Sequence, residues 1–172
     1  MTQVGQMSKR RVTLRTGLLC VVVLLMFAGC AAYRSELQHP QLSMPKKLAP
    51  AGSFVSSQES DDVRAAMAFD GDAKTRWSSA HADGQWIVAD LGADRTVIGV
   101  RLVWETAFAD EYRIEGSLNN EDWSKIATVR NGDGEEDRLE FSPVTARYIR
   151  MFGAHRATEY GFSLYEFEIW GF

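Results

Sequence analysis

Residues 68–79, AFDGDAKTRWSS, are the stretch on which the fold prediction depends. Asp70, Asp72 and Thr75 place carboxylate and hydroxyl oxygens close together on a glycine-containing turn. Clustered oxygen atoms suit Ca²⁺, which takes about six to eight of them as ligands. Trp77 follows, and a side chain of its size can anchor the loop in a hydrophobic core. The alternative interpretation is an ordinary Asp–Gly turn, in which short side chains bond their own backbone.

The N-terminal segment has the composition of an export signal. A basic stretch at residues 9–15 precedes an uninterrupted apolar run at residues 17–28. About a dozen apolar residues are fewer than the ~20 that a spanning helix needs, and they fit the apolar part of a secretory signal. We therefore predict that residues 1–29 are a signal peptide.

The end of the apolar run, Phe27-Ala28-Gly29-Cys30, resembles the lipobox of bacterial lipoproteins. This resemblance implies that Cys30 carries lipid, palmitate included, and becomes the mature N-terminus. Ala31 directly after it implies the outer membrane as the destination. Acyl chains contribute roughly 0.8 kcal/mol per buried CH₂, so several chains on one cysteine give a durable membrane anchor. A conventional cleaved signal with an incidental cysteine remains the alternative.

Cysteine usage and charge narrow the possible functions. Cys20 lies inside the signal and is lost on cleavage, so the mature chain cannot form an internal disulfide. Cleavage removes four of the 19 basic residues and no acids, which leaves 15 against 23 acids and a net charge of −8. A nucleic-acid reader needs the opposite sign, so we expect no nucleic-acid partner. An acidic surface is compatible with sugars or cationic ligands.

The remainder divides into a tether and one domain. Residues 30–50 contain three prolines within eleven residues and are predicted to form a flexible tether. Beyond it, short apolar stretches alternate with turn residues, which predicts strands. Strands are predicted at 85–91, 96–104, 112–118, 123–129, 147–152 and 164–170, with a turn at 92–94 and one or two helical turns in 61–68. Tyr112, Ile114 and Leu118 are predicted to share a buried face. Residues 51–172 are therefore predicted to be all-β, as an antiparallel jelly-roll β-sandwich.

Five segments occur in order through this domain: AFDGDAKTRWSS, GQWIVADLG, RLVWETAFADEYRIEGS, ARYIRM and YGFSLYEFEIWG. Together they resemble the discoidin or coagulation factor type C (F5/8 type C) domain. Its bacterial sugar-binding members form carbohydrate-binding module family 32. The forms WETAFADEY and EYGFSLYEFEIWG look most similar to modules attached to enzymes that degrade β-glucan and chitosan. The resemblance covers residues 51–172 and implies a galactose-binding-domain-like fold.

A structural Ca²⁺ ion is the first property that the resemblance implies. In that family the ion joins the loop after the first strand to the last strand. Carried over position by position, the ligands are the carbonyls of Met67, Asp72 and Tyr165, the carboxylates of Asp70 and Glu166, and two oxygens of Thr75. An ion that binds only the folded chain stabilises it by mass action.

A ligand site on loops at the same end of the sandwich is the second implied property. The matching positions are Glu59, Arg76, His81, Glu105 and Tyr160, with Arg156 added because it lies on the same late loop as Tyr160. A stacking face with a few charged groups suits sugar recognition. Glu59 and Glu105 also suit an ammonium-bearing sugar such as glucosamine. An Arg76–Glu105 ion pair on a solvated rim is the alternative interpretation.

We therefore expect a lipid-anchored, non-catalytic domain that binds a polysaccharide at the bacterial cell envelope, either a β-glucan or a glucosamine-containing polymer. A glycosidase would need Glu59 and Glu105 about 5–10 Å apart around a cleft, and shallow loops enclose little. The first alternative is a protein-interaction module that holds a partner subunit at the envelope. The second is phospholipid binding, for which Phe108 is the obvious apolar loop tip.

Overall fold

The computed structural model describes residues 43–172; the predicted signal peptide, Cys30 and most of the predicted tether lie outside this range. Residues Met44–Phe172 form one compact unit. Eight strands make up this unit: β1 (Lys46–Leu48), β2 (Gly52–Val55), β3 (Trp77–Ser78), β4 (Trp86–Trp104), β5 (Ala109–Ser117), β6 (Ser124–Arg130), β7 (Glu136–Arg156) and β8 (Ser163–Gly171). A 3₁₀ helix spans Ala65–Phe69, within and just beyond the predicted helical turns. In the part of the chain described, we find no helix with the length and apolarity of a membrane span.

All strand pairs are antiparallel, in the order β1-β8-β4-β7-β5-β6, with β2 beside β4 and β3 beside β8. The two long strands take part in both layers. The first part of β4 pairs with β2 and the last part of β7, whereas its second part pairs with β8 and the first part of β7. Because both strands pass from one layer to the other, the pairing closes into a sandwich around a core. The predicted antiparallel β-sandwich is confirmed.

The turn predicted at residues 92–94 is a bulge inside β4, so the prediction of two separate strands was wrong. Pairing with β7 shifts register between Asp90 and Arg95, which lie opposite Tyr148 and Ala146. Gly92 has φ +76°, a backbone conformation that glycine adopts without steric cost. A bulge bends the strand while pairing continues on both sides, so the chain changes layer without leaving the sheet.

The core is built from side chains of the strands and the loops beside them, and in the first part of β4 the consecutive residues Ile87, Val88 and Ala89 are all buried. Its largest fully buried side chains are Trp77, Ile87, Val88, Leu102, Tyr112, Ile114, Ile149, Met151, Phe162, Leu164, Phe167 and Ile169. Tyr112 and Ile114 are buried as predicted, but Leu118 is 56% exposed. β5 ends at Ser117, so Leu118 already belongs to the following turn and the strand alternation no longer orients it. The expected burial of Leu118 was therefore wrong.

The domain also begins earlier than predicted. β1 lies inside the expected tether, yet Lys46, Lys47 and Leu48 pair with Gly171, Trp170 and Ile169 of β8. Leu48 is buried in the core, at 7% exposure. Pro45 and Pro50 flank the paired residues and do not interrupt them, which is compatible with a short strand. The part of the predicted tether beyond residue 43 is thus structured.

Candidate functional site

The residues predicted to bind ligand lie on four loops at the end of the sandwich where β8 begins. The first loop follows β2 and is fastened to β3. Trp77 Nε1 donates to the carbonyl of Ser57 at 3.1 Å, and the Glu59 amide donates to the carbonyl of Ser78 at 2.8 Å. Trp77 is fully buried, so this loop is anchored to the core. The anchoring fixes the backbone that carries Glu59.

The second loop carries His81 and the fourth carries Tyr160, and the two are joined reciprocally. The Ser79 amide donates to the carbonyl of Phe162 at 2.9 Å, and the Phe162 amide donates to Ser79 Oγ at 2.9 Å. Gly161 lies so close that a Cβ there would come within 2.6 Å of the Ser79 carbonyl oxygen. A side chain at position 161 would therefore push these two loops apart.

The third loop follows β4 and carries Glu105. The Glu105 amide donates to the carbonyl of Ser163 at 3.0 Å, and the Ser163 amide donates to the carbonyl of Ala107 at 2.7 Å. Glu105 Oε2 accepts from the Ala107 amide at 3.0 Å. This local bond orients the carboxylate, because a charged acceptor binds a backbone donor strongly. Glu105 is thus held beside the start of β8.

Three of the predicted residues form a contiguous exposed row. His81 Nε2 lies 3.7 Å from Glu59 Oε1, and the two side chains are 50% and 47% exposed. The ring centroids of His81 and Tyr160 are 5.8 Å apart with the rings at 83° to each other. Tyr160 is 48% exposed and presents an aromatic surface to solvent. The row therefore offers a carboxylate, an imidazole and a phenol side by side.

Arg156 holds the fourth loop in place. Its Nε and its backbone amide both donate to Asp83 Oδ1 at 3.0 Å. Its Nη1 donates at 3.1 Å to the carbonyls of Glu159 and Tyr160. The hydrogen bond from Arg156 holds the pKa of Asp83 below its usual value. The sequence analysis did not identify Asp83. The feature of the sequence that could have drawn attention to it is the following Gly84, which has φ +75° in a turn before β4.

Within residues 43–172 no ion pair joins Arg76 to the exposed row. It directly precedes Trp77, which pairs with Leu164, so Arg76 is level with Tyr165. Glu105 is instead bonded to Ser163 on the other side of that pair. Among residues 43–172 no ion pair joins Arg76 to Glu105, and the buried Nε of Arg76 has no hydrogen-bond partner. The alternative of a rim ion pair between them was therefore wrong.

Phe108 is not the exposed loop tip that was expected. Its side chain is half-buried and packs against the core. Its ring lies against Gly134, where any side chain would collide with it. The Phe108 carbonyl accepts from the Ala157 amide at 3.0 Å, which ties this residue to the fourth loop. The apolar tip that phospholipid binding would need at this end is thus packed inside.

The loop of residues 70–75 is organised around Asp70. Its Oδ1 accepts from the Asp72 amide at 2.9 Å and its Oδ2 from Thr75 Oγ1 at 2.8 Å. Thr75 also donates through its amide and its hydroxyl to the carbonyl of Asp72, both at 3.0 Å. Gly71 has φ +81°. The three oxygen-bearing residues of the predicted cation loop are therefore in mutual contact.

Glu166 on β8 faces this loop and is the most unusual polar group of the domain. Its side chain is 7% exposed, and both carboxylate oxygens are buried without a hydrogen-bond partner. Lys47 Nζ lies 3.7 Å from Glu166 Oε2, beyond hydrogen-bond distance, and donates instead to Glu168 at 3.0 Å. Burial raises the pKa of Glu166 above its usual value, and the charges of Asp70 and Glu168 add to that effect, whereas the charge of Lys47 and the backbone amide of Gly71 oppose it.

The donor set around Glu166 fits a hard cation. A buried carboxylate whose only counter-charge is a lysine at 3.7 Å that it shares with Glu168 is costly, and a bound cation would lower that cost. Within residues 43–172 no three His, Cys, Asp or Glu side chains form a metal-binding group. The predicted set does not need one, because Asp70 and Glu166 supply carboxylates and the remaining ligands are carbonyl and hydroxyl oxygens. Calcium accepts such mixed oxygen ligands.

The candidate loops form a shallow surface, and a larger groove lies elsewhere. That groove has a volume of about 720 Å³ and runs between β6 and the middle of β7. Leu118, Ile126 and Phe141 contribute to its lining. It is far along β5 from the loop that carries Glu105. The candidate site therefore depends on the chemistry of exposed side chains and not on enclosure.

An antiparallel jelly-roll sandwich with loops gathered at one end defines a class of small β-domains, and comparison with known proteins places the chain within it. Residues 53–167 match the F5/8 type C domain. The chain belongs to this family, as the sequence segments predicted.

Two solved structures and one curated protein are similar to the chain. Chitosan-binding module 1 of a chitosanase/glucanase from Paenibacillus sp. IK-5 is 41% identical, covering 73% of this chain and 99% of that one, with a TM-score of 0.71. Module 2 of the same enzyme, in complex with chitotriose, is 36% identical, covering 71% and 96%, with a TM-score of 0.68. The polysaccharide lyase 8 family protein HylA of Enterococcus faecalis is 33% identical over 86 residues. That match covers 48% of this chain but only 6% of HylA.

Proposed function

We propose that the domain is a non-catalytic carbohydrate-binding module whose ligand lies across the loops that carry Glu59, His81, Glu105 and Tyr160. The observation that carries this proposal is the exposed row of Glu59, His81 and Tyr160. The chain is also 41% identical to a chitosan-binding module over almost the whole of that module. Aromatic surface beside charged hydrogen-bonding groups is the chemistry that binds sugar rings and their hydroxyls.

We further propose a glucosamine-containing polymer as the ligand, with a β-glucan as the second candidate. An ionised glutamate carries negative charge and only accepts hydrogen bonds, so Glu59 and Glu105 pair favourably with an ammonium group. The mature chain is acidic overall, which attracts a cationic polymer. A neutral glucan would contact the ring of Tyr160 but would gain no electrostatic attraction to the carboxylates. Binding to chitosan should therefore weaken with salt more than binding to a glucan.

The openness of the loops supports binding over catalysis. A glycosidase acid is normally held in an apolar enclosure that raises its pKa. Glu59 is 47% exposed, and Glu105 is half-buried at the edge of a shallow surface. Neither carboxylate is enclosed, and the loops leave water free access to a bound sugar. We therefore assign both residues to ligand contact.

Retention on polysaccharide tests this proposal. Glu105→Ala and Tyr160→Ala should each reduce binding to insoluble chitosan by at least about tenfold, with little change in melting temperature, because both side chains lie on the surface. Binding is measured by pull-down and affinity electrophoresis on chitosan, β-glucan and peptidoglycan. Glu121→Ala, an exposed carboxylate in the β5–β6 turn, is the matched control and should bind as the parent does. Failure of the parent protein to bind any of these polymers, together with a stable co-purifying protein, would instead favour the protein-interaction module.

We propose that Ca²⁺ is the structural cofactor, held by Met67, Asp70, Asp72, Thr75, Tyr165 and Glu166. What supports it is the unpartnered carboxylate of Glu166 facing the Asp70 loop. The ion would supply the missing positive charge and connect the loop before β3 to β8. Arg76 and Glu105 flank the segments joined in this way, so the ion would also limit movement of the candidate loops.

We propose, finally, that the domain is lipid-anchored through Cys30 at the cell envelope, most consistently at the outer membrane. The support is the lipobox-like sequence and the 13 residues that separate Cys30 from Met44, where the compact unit begins. Radiolabelled palmitate should be incorporated into the protein in a bacterial host and not into the Cys30→Ser variant. Equal labelling of both would rule out the anchor.

A further inference from the structure

Asp137 is a carboxylate on the core-facing side of a strand. It lies opposite Leu102 in the pairing of β7 with β4, and Leu102 is fully buried. Side chains directly opposite each other in a sheet share one face, so Asp137 points towards the core at the end of the sandwich. Within residues 43–172 no ion pair reaches it. A charge in such a position is costly unless hydrogen bonds satisfy it.

Two aromatic side chains supply those hydrogen bonds. Trp104 Nε1 donates to Asp137 Oδ2 at 2.9 Å, and the Tyr112 hydroxyl donates to the same oxygen at 2.7 Å. Both aromatic residues are buried, and their rings meet edge to face with centroids 5.3 Å apart. An ionised acceptor forms stronger hydrogen bonds than a neutral one. One carboxylate oxygen therefore fixes the orientation of two large side chains.

Trp104 is the last residue of β4, and Glu105 of the candidate site follows it directly. Besides the indole contact, the Trp104 amide donates to the carbonyl of Glu135 at 3.0 Å. The backbone and the side chain of Trp104 are thus both bonded to the chain around the start of β7. This double attachment sets the point and the direction from which the third loop begins.

Residues 131–135, which precede β7, lie behind the rest of that loop. The Gly132 amide donates to the carbonyl of Asp110 at 3.0 Å, and the ring of Phe108 lies against Gly134. The Phe108 carbonyl accepts in turn from the Ala157 amide, which connects this support to the fourth loop. The segment therefore supports two of the loops that carry candidate sugar contacts.

We propose that Asp137 is a positioning residue for the ligand site, which acts through Trp104 to hold the third loop where Glu105 meets a bound sugar. The inference rests on the proposed function, because it concerns the same site. A loop that is already ordered loses less conformational entropy when ligand binds, so its support contributes to affinity without touching the ligand. The role of Asp137 is to accept hydrogen bonds, and its charge is not needed to attract the sugar.

Two substitutions at this position separate the acceptor from the charge. Asp137→Leu removes the acceptor, whereas Asp137→Asn keeps a carbonyl oxygen whose two lone pairs can accept from both donors. We expect the leucine variant to raise the Kd for chitotriose at least about tenfold and the asparagine variant to raise it at most about threefold. Isothermal titration calorimetry measures both. If the asparagine variant loses as much affinity as the leucine variant, the charge is what matters and the positioning role is wrong.

A control for stability is needed, because Asp137→Leu also leaves two buried donors unpaired and lowers the melting temperature. Glu115→Gln provides it: this substitution removes the partner of Arg113 and Arg150, roughly 20 Å along β5 from the third loop. Measured well below both melting temperatures, Glu115→Gln should bind chitotriose as the parent does. An equal loss of affinity in this control would mean that lowered stability alone weakens binding, and the inference would fail.

Hydrogen exchange of the protein without sugar distinguishes this inference from the proposed function. Asp137→Leu should speed exchange of the Trp104 indole N–H and the Glu105 amide at least about tenfold, with a much smaller change in β6. Parental exchange together with parental affinity in the leucine variant would overturn the inference and leave the proposed function standing. A parent protein that binds no polysaccharide, but whose Glu105 exchange depends on Asp137, would refute the proposed function and retain the support of the loop.

Discussion

Glu115 and Glu166 are both buried carboxylates on central strands, yet their surroundings are opposite. Glu115 on β5 lies between two guanidinium groups: Arg113 Nε is 3.0 Å from Oε1, and Arg150 Nη2 is 2.6 Å from Oε2. Arg150 in turn stacks 4.0 Å above the ring of Trp123. Glu166 has no hydrogen-bond partner for either oxygen, although its side chain is equally secluded at 7% exposure.

The difference shows at which buried carboxylate the protein's own side chains balance the charge. Around Glu115 the protein supplies two guanidinium groups as counter-charges and an aromatic ring that stacks on one of them. The charge of Glu115 is therefore balanced without a ligand. Around Glu166 it supplies further oxygen atoms and one lysine at 3.7 Å, so negative charge is left over. A buried carboxylate in such surroundings is costly, and the proposed cation would offset that cost. The comparison therefore separates a structural ion-pair cluster from a proposed ion site.

Glu115→Gln should have the largest effect on stability. The substitution keeps the size of the side chain but leaves Arg113 and Arg150 without their counter-charge, at side-chain exposures of 33% and 17%. Allowing for that exposure, we expect a loss of about 2–3 kcal/mol and a melting temperature lower by roughly 8 °C. Differential scanning calorimetry measures it, and the loss should be the same with calcium and with chelator.

The control for this change is an exposed ion pair. Arg130 Nε lies 3.7 Å from Glu111 Oε1, with side chains 76% and 45% exposed. Arg130→Gln should alter the melting temperature by less than about 2 °C, since solvated pairs contribute little. If Glu115→Gln were no more damaging than this control, the cluster around Glu115 would be an ordinary surface arrangement.

Without calcium, Glu166→Gln should have a smaller effect on stability than Glu115→Gln, and the sign of its effect depends on calcium. In chelator the variant should melt at the same temperature as the parent or a few degrees higher, because a buried uncompensated charge is gone. With calcium at about 100 times its dissociation constant the parent gains about 2.7 kcal/mol, and the variant should gain almost none. Asp70→Ala should lose the same increment. A parent protein whose melting is indifferent to chelation would contradict the calcium site.

Much of the fold was predictable because it depends on local pattern. The period-two alternation in residues 112–114 and 147–152 identified strands with buried faces, and the Asp-rich turn before Trp77 identified a loop anchored in the core. Alternation is set by the pleat of one strand, so it can be recognised in a few consecutive residues. The alternation pattern gave wrong predictions at Leu118 and at Gly92. At both positions the error concerned where a strand ends, and a strand end is set by pairing with the neighbouring strand.

The candidate site divides in the same way. Residues of the right chemistry, such as Glu59 and Tyr160, were identified by resemblance, and the structure brings these two to either side of His81. The role of Arg156 in holding the Tyr160 loop was not predicted, because its partner Asp83 lies 73 residues away in the chain. The sequence also does not reveal that Lys47 donates a hydrogen bond to Glu168, which lies 121 residues away in the chain.

By itself, the sequence determined an acidic β-domain of the F5/8 type C family with an oxygen-rich loop, because composition, alternation and turn residues act over neighbouring positions. Only the tertiary structure decided that the buried carboxylate of Glu166 has no hydrogen-bond partner, that Arg156 holds the Tyr160 loop, and that Lys46 and Arg95 line one depression. These are properties of strand register. Pairing across long stretches of chain sets which charges face one another, and no local pattern encodes it.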